Sequence, residues 1–151
     1  MKKLLSLVLA LAMTFAIAAP ALAAEFPPVD TADNDFGIMP LSSLYSNTVS
    51  DTSGSWKSYD FTATPSNGNY IRIWFENTTD ERVTVILYRY NTLLGRLPVC
   101  IMNVSGNSGQ SKVYHTSDAG SAAYYLSIEA SESGGLIQGT IAAAQYATNP
   151  G

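Results

Sequence analysis

With 151 residues, 46% hydrophobic and 11% aromatic, the chain holds enough apolar material for one small domain with a packed core and too little for a multidomain enzyme. Charged residues make up 13%, well under the roughly 25% of an average globular chain, which makes disorder and a coiled coil poor readings of it. The formal net charge is −4, and Lys57, Arg72, Arg82, Arg89, Arg96 and Lys112 are scattered, so no nucleic-acid partner is expected.

The chain opens with Met1-Lys2-Lys3, an apolar run from Leu4 to Ala18, and the small residues Ala19-Pro20-Ala21-Leu22-Ala23. This is the pattern of a secretory signal peptide over residues 1–23, cleaved after Ala23. The apolar run falls short of the ~20 residues a bilayer span needs, so no membrane span is expected after processing. The predicted location is secreted and extracellular.

Residues 24–40 form a Pro- and Asp-rich extended arm with Pro27-Pro28 and the acids Asp30, Asp33 and Asp35. These acids and Asn34 are oxygen ligands of the kind calcium prefers, yet the ordered ligand series of an EF-hand loop is missing. A solvated linker explains them, and no cofactor is expected.

From residue 41 to 151 short runs rich in Tyr, Ile, Val and Thr alternate with Gly, Ser, Asn and Asp clusters. Strands are predicted at 44–49, 56–62, 70–76, 82–90, 98–104, 111–115, 123–129 and 137–145. Eight short strands and no helical period predict an all-β, antiparallel β-sandwich or barrel. The polar connection Asn77-Thr78-Thr79-Asp80-Glu81 reads as a hairpin pairing Glu76 with Arg82. Ile71, Ile73, Phe75, Val83, Val85 and Leu87 then form a core face. Tyr70, Arg72, Trp74, Thr84, Ile86 and Tyr88 occupy the other side.

In the last two strands Tyr124, Leu126 and Ile128 alternate with Tyr125, Ser127 and Glu129, and Ile137, Ile141 and Ala143 make an inward row. Gly139 inside a strand predicts a bulge or a close backbone approach. Cys100 is the sole cysteine, so no internal disulfide can form, and it reads as a small buried apolar residue with no basic neighbour close in sequence.

The run Ala123-Tyr124-Tyr125-Leu126-Ser127-Ile128-Glu129, the Gly134-Gly135 turn and Ile137-Gln138-Gly139-Thr140-Ile141 resemble the C-terminal part of small secreted bacterial jelly-roll domains, the pre-peptidase C-terminal domains among them. The resemblance implies a jelly-roll sandwich and an accessory role beside an enzyme. It transfers no functional residue.

The chemical inventory is thin. His115, the one histidine, precedes Thr116-Ser117-Asp118 at a strand end and reads as a surface residue rather than the base of a triad assembled from distant parts of a fold. Most acids lie in predicted turns, which leaves Glu76 and Glu129 as candidates for paired-carboxylate hydrolysis. A cross-strand or edge position accounts for both. Asn77-Thr78-Thr79 and Asn103-Val104-Ser105 match a glycosylation pattern too short and common to carry weight.

The candidate ligand-binding residues are therefore Tyr70, Arg72, Trp74 and Tyr88, aromatic rings that stack on sugar faces beside an arginine that binds hydroxyls. The same residues suit the inside of a sandwich, or a face covered by Phe36 and Ile38 of the arm. The expected function is a secreted non-catalytic module binding polysaccharide or a cell-surface protein. The alternatives are a self-associating structural module and a small secreted hydrolase, and the sequence does not decide the oligomeric state.

Overall fold

Among the described residues, period-two patterning produces nine strands and one 3₁₀ turn. They are β1 (Ser42–Asp51), β2 (Ser55–Lys57), β3 (Phe61–Ala63), the turn Pro65–Asn67, β4 (Tyr70–Asn77), β5 (Val83–Asn91), β6 (Gly95–Val104), β7 (Ser108–His115), β8 (Ala122–Ala130) and β9 (Ile137–Tyr146). The computed structural model describes residues 40–117 and 119–151. The leader, nearly all of the arm with its acidic cluster, and Asp118 lie outside them.

The strands form two sheets, ordered β1-β9-β4-β7 and β2-β8-β5-β6, with β3 also paired to β8. All pairings are antiparallel. Taken as one interrupted strand, β2 and β3 restore the predicted eight, and the order becomes first-eighth-third-sixth against second-seventh-fourth-fifth. That is the jelly roll, an antiparallel sandwich of two interleaved Greek keys. The interruption has a local cause at Ser58. Its N–H donates to the Leu126 carbonyl at 2.9 Å, and its hydroxyl accepts the Leu126 N–H at 2.8 Å. The side chain thus takes the ladder's acceptor role, and the exposed Tyr59 and Asp60 fall outside the strands.

Ile71, Ile73, Phe75, Ile137, Ile141 and Ala143 from one sheet meet Val83, Val85, Leu87, Tyr124, Leu126 and Ile128 from the other, all buried. Each large aliphatic or aromatic side chain so placed contributes about 1.5–3 kcal/mol, which is how a domain without disulfides holds together. The inward rows are those the alternation predicts.

The pairing between two of these rows is different. Segment 77–82 is a crossover between sheets and not a hairpin: β4 pairs with β7 and β9, while β5 pairs with β6 and β8. Glu76 therefore opposes Gly109 and Thr140 rather than Arg82. The reason is Asn77. Its buried amide donates to the Glu81 carbonyl at 2.6 Å and the Ser105 carbonyl at 3.1 Å, and it accepts the Thr79 hydroxyl at 2.8 Å. One satisfied side chain turns the connection toward the β6–β7 turn and the second sheet. Glycosylation of Asn77 would need that amide to leave its pocket.

At the opposite end Gln145 plays a matching part. It is buried, donates to Thr64 and Gly68 carbonyls at 2.7 and 2.5 Å, and accepts the Thr64 N–H at 3.3 Å. Gly139 occupies the close backbone approach that its position predicts, since a Cβ there would collide with the Glu76 carbonyl and the Phe75 ring of β4. On the far edge Lys112 of β7 donates to the Ile101 carbonyl of β6 at 2.8 Å and bridges the two sheets. Cys100 is buried on β6, and burial raises its thiol pKa. Lys112 opposes that shift as the basic neighbour that folding supplies.

Candidate functional site

On β4 the alternation that buries Ile71, Ile73 and Phe75 turns Tyr70, Arg72, Trp74 and Glu76 to the outside of the first sheet. Trp74 is partly exposed, with Ser111 of β7 as its register partner on one side and Ala142 of β9 on the other. One step along β7, Gly109 lies beside the indole, close enough that a Cβ would sit 3.5 Å from Trp74 Nε1. Small neighbours leave the ring standing in a shallow bed.

Past Gly109 opens a cleft of about 270 Å³ lined by Glu76, Asn77, Thr78, Asn107, Ser108 and Gly109. Its walls are fixed by the folding devices already described. Asn107 takes a positive φ of 50°, and its N–H donates to the Thr79 carbonyl at 2.7 Å. Ser108 Oγ donates to the Ser105 carbonyl at 2.8 Å, and Asn77 anchors the floor. A carboxylate, a hydroxyl and an amide, from Glu76, Thr78 and Asn107, thus stand next to an aromatic edge. This constellation supplies hydroxyl-binding groups of both polarities around a stacking surface.

Arg72 is partly engaged by the sheet: its Nη2 donates to Ser111 Oγ of β7 at 2.8 Å and its charge acts on the Tyr146 phenol of β9, while its buried Nε has no hydrogen-bond partner. Burial pushes the Tyr146 phenol above its ordinary pKa, with Arg72 pulling the other way. Tyr70 packs on its register partner His115, ring centroids 4.8 Å apart, and His115 is exposed at the end of β7.

Tyr88 does not join this group. Its strand lies in the second sheet, so its ring faces out on the opposite side of the sandwich, stacked on Tyr125 at 4.8 Å and 4°. Burial, followed by the Glu129 and Tyr125 charges, raises its pKa. The predicted aromatic set is thus divided: Tyr70, Arg72 and Trp74 stay together and Tyr88 heads a second cluster. That cluster contains residues the sequence reading passed over. Arg96 lies 5.5 Å from the Tyr90 ring centroid and 5.2 Å from that of Tyr125, and Tyr90 donates to Asp60 at 3.0 Å. The available signal was the shared outward parity of Tyr88, Tyr90 and Tyr125.

Glu76 and Glu129 also separate, onto the outer faces of different sheets, so they do not flank a common bond. Among the described residues no three His, Cys, Asp or Glu side chains gather to hold a metal ion. Nor is any helix there long and apolar enough to cross a membrane.

No protein-family model matches the chain, and no curated protein sequence matches it. Among solved structures it is similar to the Yersinia pseudotuberculosis-derived mitogen, with a TM-score of 0.53 and 12% identity over 74% of this chain and 91% of that one. A structure of infectious bursal disease virus Gx strain aligns with a TM-score of 0.29 and 12% identity, covering 74% of this chain and 32% of that chain. The first likeness is one of fold: a β-sandwich shared at an identity that carries no site residue across.

Proposed function

We propose that this protein is a secreted, non-catalytic binding module that holds an extracellular polysaccharide against the outer face of β4. The observation that carries the reading is the placement of Trp74 among Ser111, Ala142 and Gly109, its indole edge bordering the Glu76–Thr78–Asn107 cleft. An aromatic ring in a bed of small side chains stacks on the apolar face of a sugar, and the cleft groups bind the hydroxyls at its rim. Tyr70 and His115 extend the same face, while Arg72 ties β4 to β7 within it. Export places the module where such polymers occur, and an acidic, soluble surface suits that setting.

Self-association through an open sheet edge has less support. Pro98 and the register shift between Leu87 and Tyr88 interrupt β6, and Lys112 spans the neighbouring seam. The β6 and β7 edges are so guarded against pairing with a copy, which leaves β1, paired with β9 alone, as the long edge such pairing would have to use. The test is a glycan array probed with the wild-type protein and with Trp74→Ala, each checked by circular dichroism. Retention of a glycan by wild type and its loss in a folded variant supports the reading. Retention unchanged by the substitution removes it.

A further inference from the structure

Two of the most exposed large apolar side chains of the described residues, Leu93 and Leu94, sit side by side at one end of the second sheet. Leu93 is 91% exposed and Leu94 70%, both in the tight turn joining β5 to β6, and Tyr59 is 86% exposed in the loop that interrupts β2 and β3. Tyr90 reaches that loop through Asp60. Nothing in folding calls for two adjacent leucines at a hairpin tip in water, and apolar side chains concentrated outside a core mark a contact surface.

The turn is also built to present them. The Asn91 carboxamide accepts the N–H of Leu93 and of Leu94, each at 2.9 Å, so the tip is held in one shape before any partner arrives. Behind it, Tyr90 and Arg96 form a register pair one step from the Asn91–Gly95 pair, with the guanidinium over the tyrosine ring. At ~3.4 Å per strand residue this aromatic and cationic layer lies about 7–10 Å behind the leucines. That spacing matches the ~5–10 Å by which interfacial segments enter the headgroup–acyl boundary. Tyrosine and arginine are the side chains that settle at headgroup level above buried aliphatics.

Charge favours the same partner. The chain is acidic as a whole, yet no Asp or Glu occurs between Glu81 and Asp118, a stretch that carries Arg82, Arg89, Arg96 and Lys112. Within the hairpin itself, residues 83–104, the charges are Arg89 and Arg96 with no acid, complementary to anionic lipid phosphates, while Asp60 beside it is taken up by the Tyr90 hydroxyl. We infer that the β5–β6 hairpin is a membrane-surface anchor, with Leu93 and Leu94 inserted among acyl chains and Tyr90 and Arg96 at the headgroups of an anionic bilayer. This site is separate from the Trp74 face and does not depend on it.

The test is co-flotation of the exported protein with vesicles of phosphatidylcholine, with and without phosphatidylglycerol. Wild type is compared with Leu93→Ser/Leu94→Ser and with Arg96→Gln. The leucines are solvent-exposed, so the double variant keeps the wild-type melting temperature, and Arg96→Gln, which gives up its contacts with the Tyr90 and Tyr125 rings, stays folded with a slightly lower one. Wild type floats with the phosphatidylglycerol vesicles, the double variant binds about tenfold or more weakly, and Arg96→Gln loses part of the preference for anionic lipid. Absence of wild-type binding overturns the inference, as does binding that the double variant retains. A leucine-dependent dimer seen by sedimentation without vesicles also overturns it and assigns the tip to a second copy.

Discussion

Trp74 and Gly109 face outward on adjacent strands, and the absence of a side chain at Gly109 leaves the indole edge open to the neighbouring cleft. Their contact is ordinary: a Cβ at Gly109 would stand 3.5 Å from Nε1. Gly109→Ala therefore leaves stability and ligand retention near wild type. Gly109→Leu puts a branched side chain over the cleft mouth and lowers affinity about tenfold with no loss of fold, measured by titration against the glycan the array selects.

Asn77 is the residue that turns the β4–β5 connection from one sheet to the other. Replacing it with Ala strands the Glu81 and Ser105 carbonyls that its amide satisfies. The expected cost is about 2–3 kcal/mol, read as a lower midpoint in urea unfolding with an unchanged slope. Asn77→Asp does not rescue it, because a carboxylate accepts at both oxygens.

Gly139 sits in β9, one of the two inner strands of the first sheet, with the Glu76 backbone against it. Gly139→Ala forces β9 away from β4 and costs about 3 kcal/mol or more, in the upper range of single substitutions. Thermal unfolding followed by circular dichroism checks it. Gly95, with open space around it, serves as the contrast, although its φ of 73° makes Gly95→Ala mildly unfavourable too.

Alkali should weaken the fold. Burial raises the pKa of Tyr45 and Tyr146 above the ordinary phenol value of 10.0, and that of Cys100 above the ordinary thiol value of 9.0. In each case the neutral form is favoured in the folded state, so the unfolded chain loses these protons first as pH rises. The stability they contribute is present below pH 9 and falls as pH climbs through 9 and 10. Urea midpoints flat from pH 7 to about 8.5 and declining above are the expected profile. Tyr146→Phe removes part of the decline, and native Cys100 reacts with a thiol reagent far more slowly than in the unfolded protein.

Much of the architecture was legible because a strand's period leaves little freedom. Once Ile71, Ile73 and Phe75 alternate with polar or amphipathic neighbours, only one face can be buried, and the same holds for Val83, Val85 and Leu87. Which strands pair was not legible from that pattern. A hairpin and a sheet-to-sheet crossover bury the same two rows, one side by side and the other face to face, and a five-residue polar connection serves either. The deciding group, the Asn77 amide, acts through carbonyls contributed by Glu81 and Ser105, the second far off in sequence.

The candidate site shared that fate. Tyr70, Arg72 and Trp74 lie on one strand and stayed together, while Tyr88 went with its own sheet to the opposite surface. Arg72 looked free for a ligand because Ser111 and Tyr146, which partly engage it, are remote in the chain. Thr78 and Asn107, which line the cleft beside Trp74, are turn residues whose nearness exists only after the crossover forms.

The central claim rests on Trp74 as a stacking platform, and isothermal titration of wild-type protein and Trp74→Ala with the retained glycan tests it most directly. Loss of a stacked ring predicts roughly 10-fold or more weaker binding, with circular dichroism and melting temperature unchanged. Equal affinities for the two proteins, or a variant that fails to fold because Trp74 is part of the packing, would contradict it.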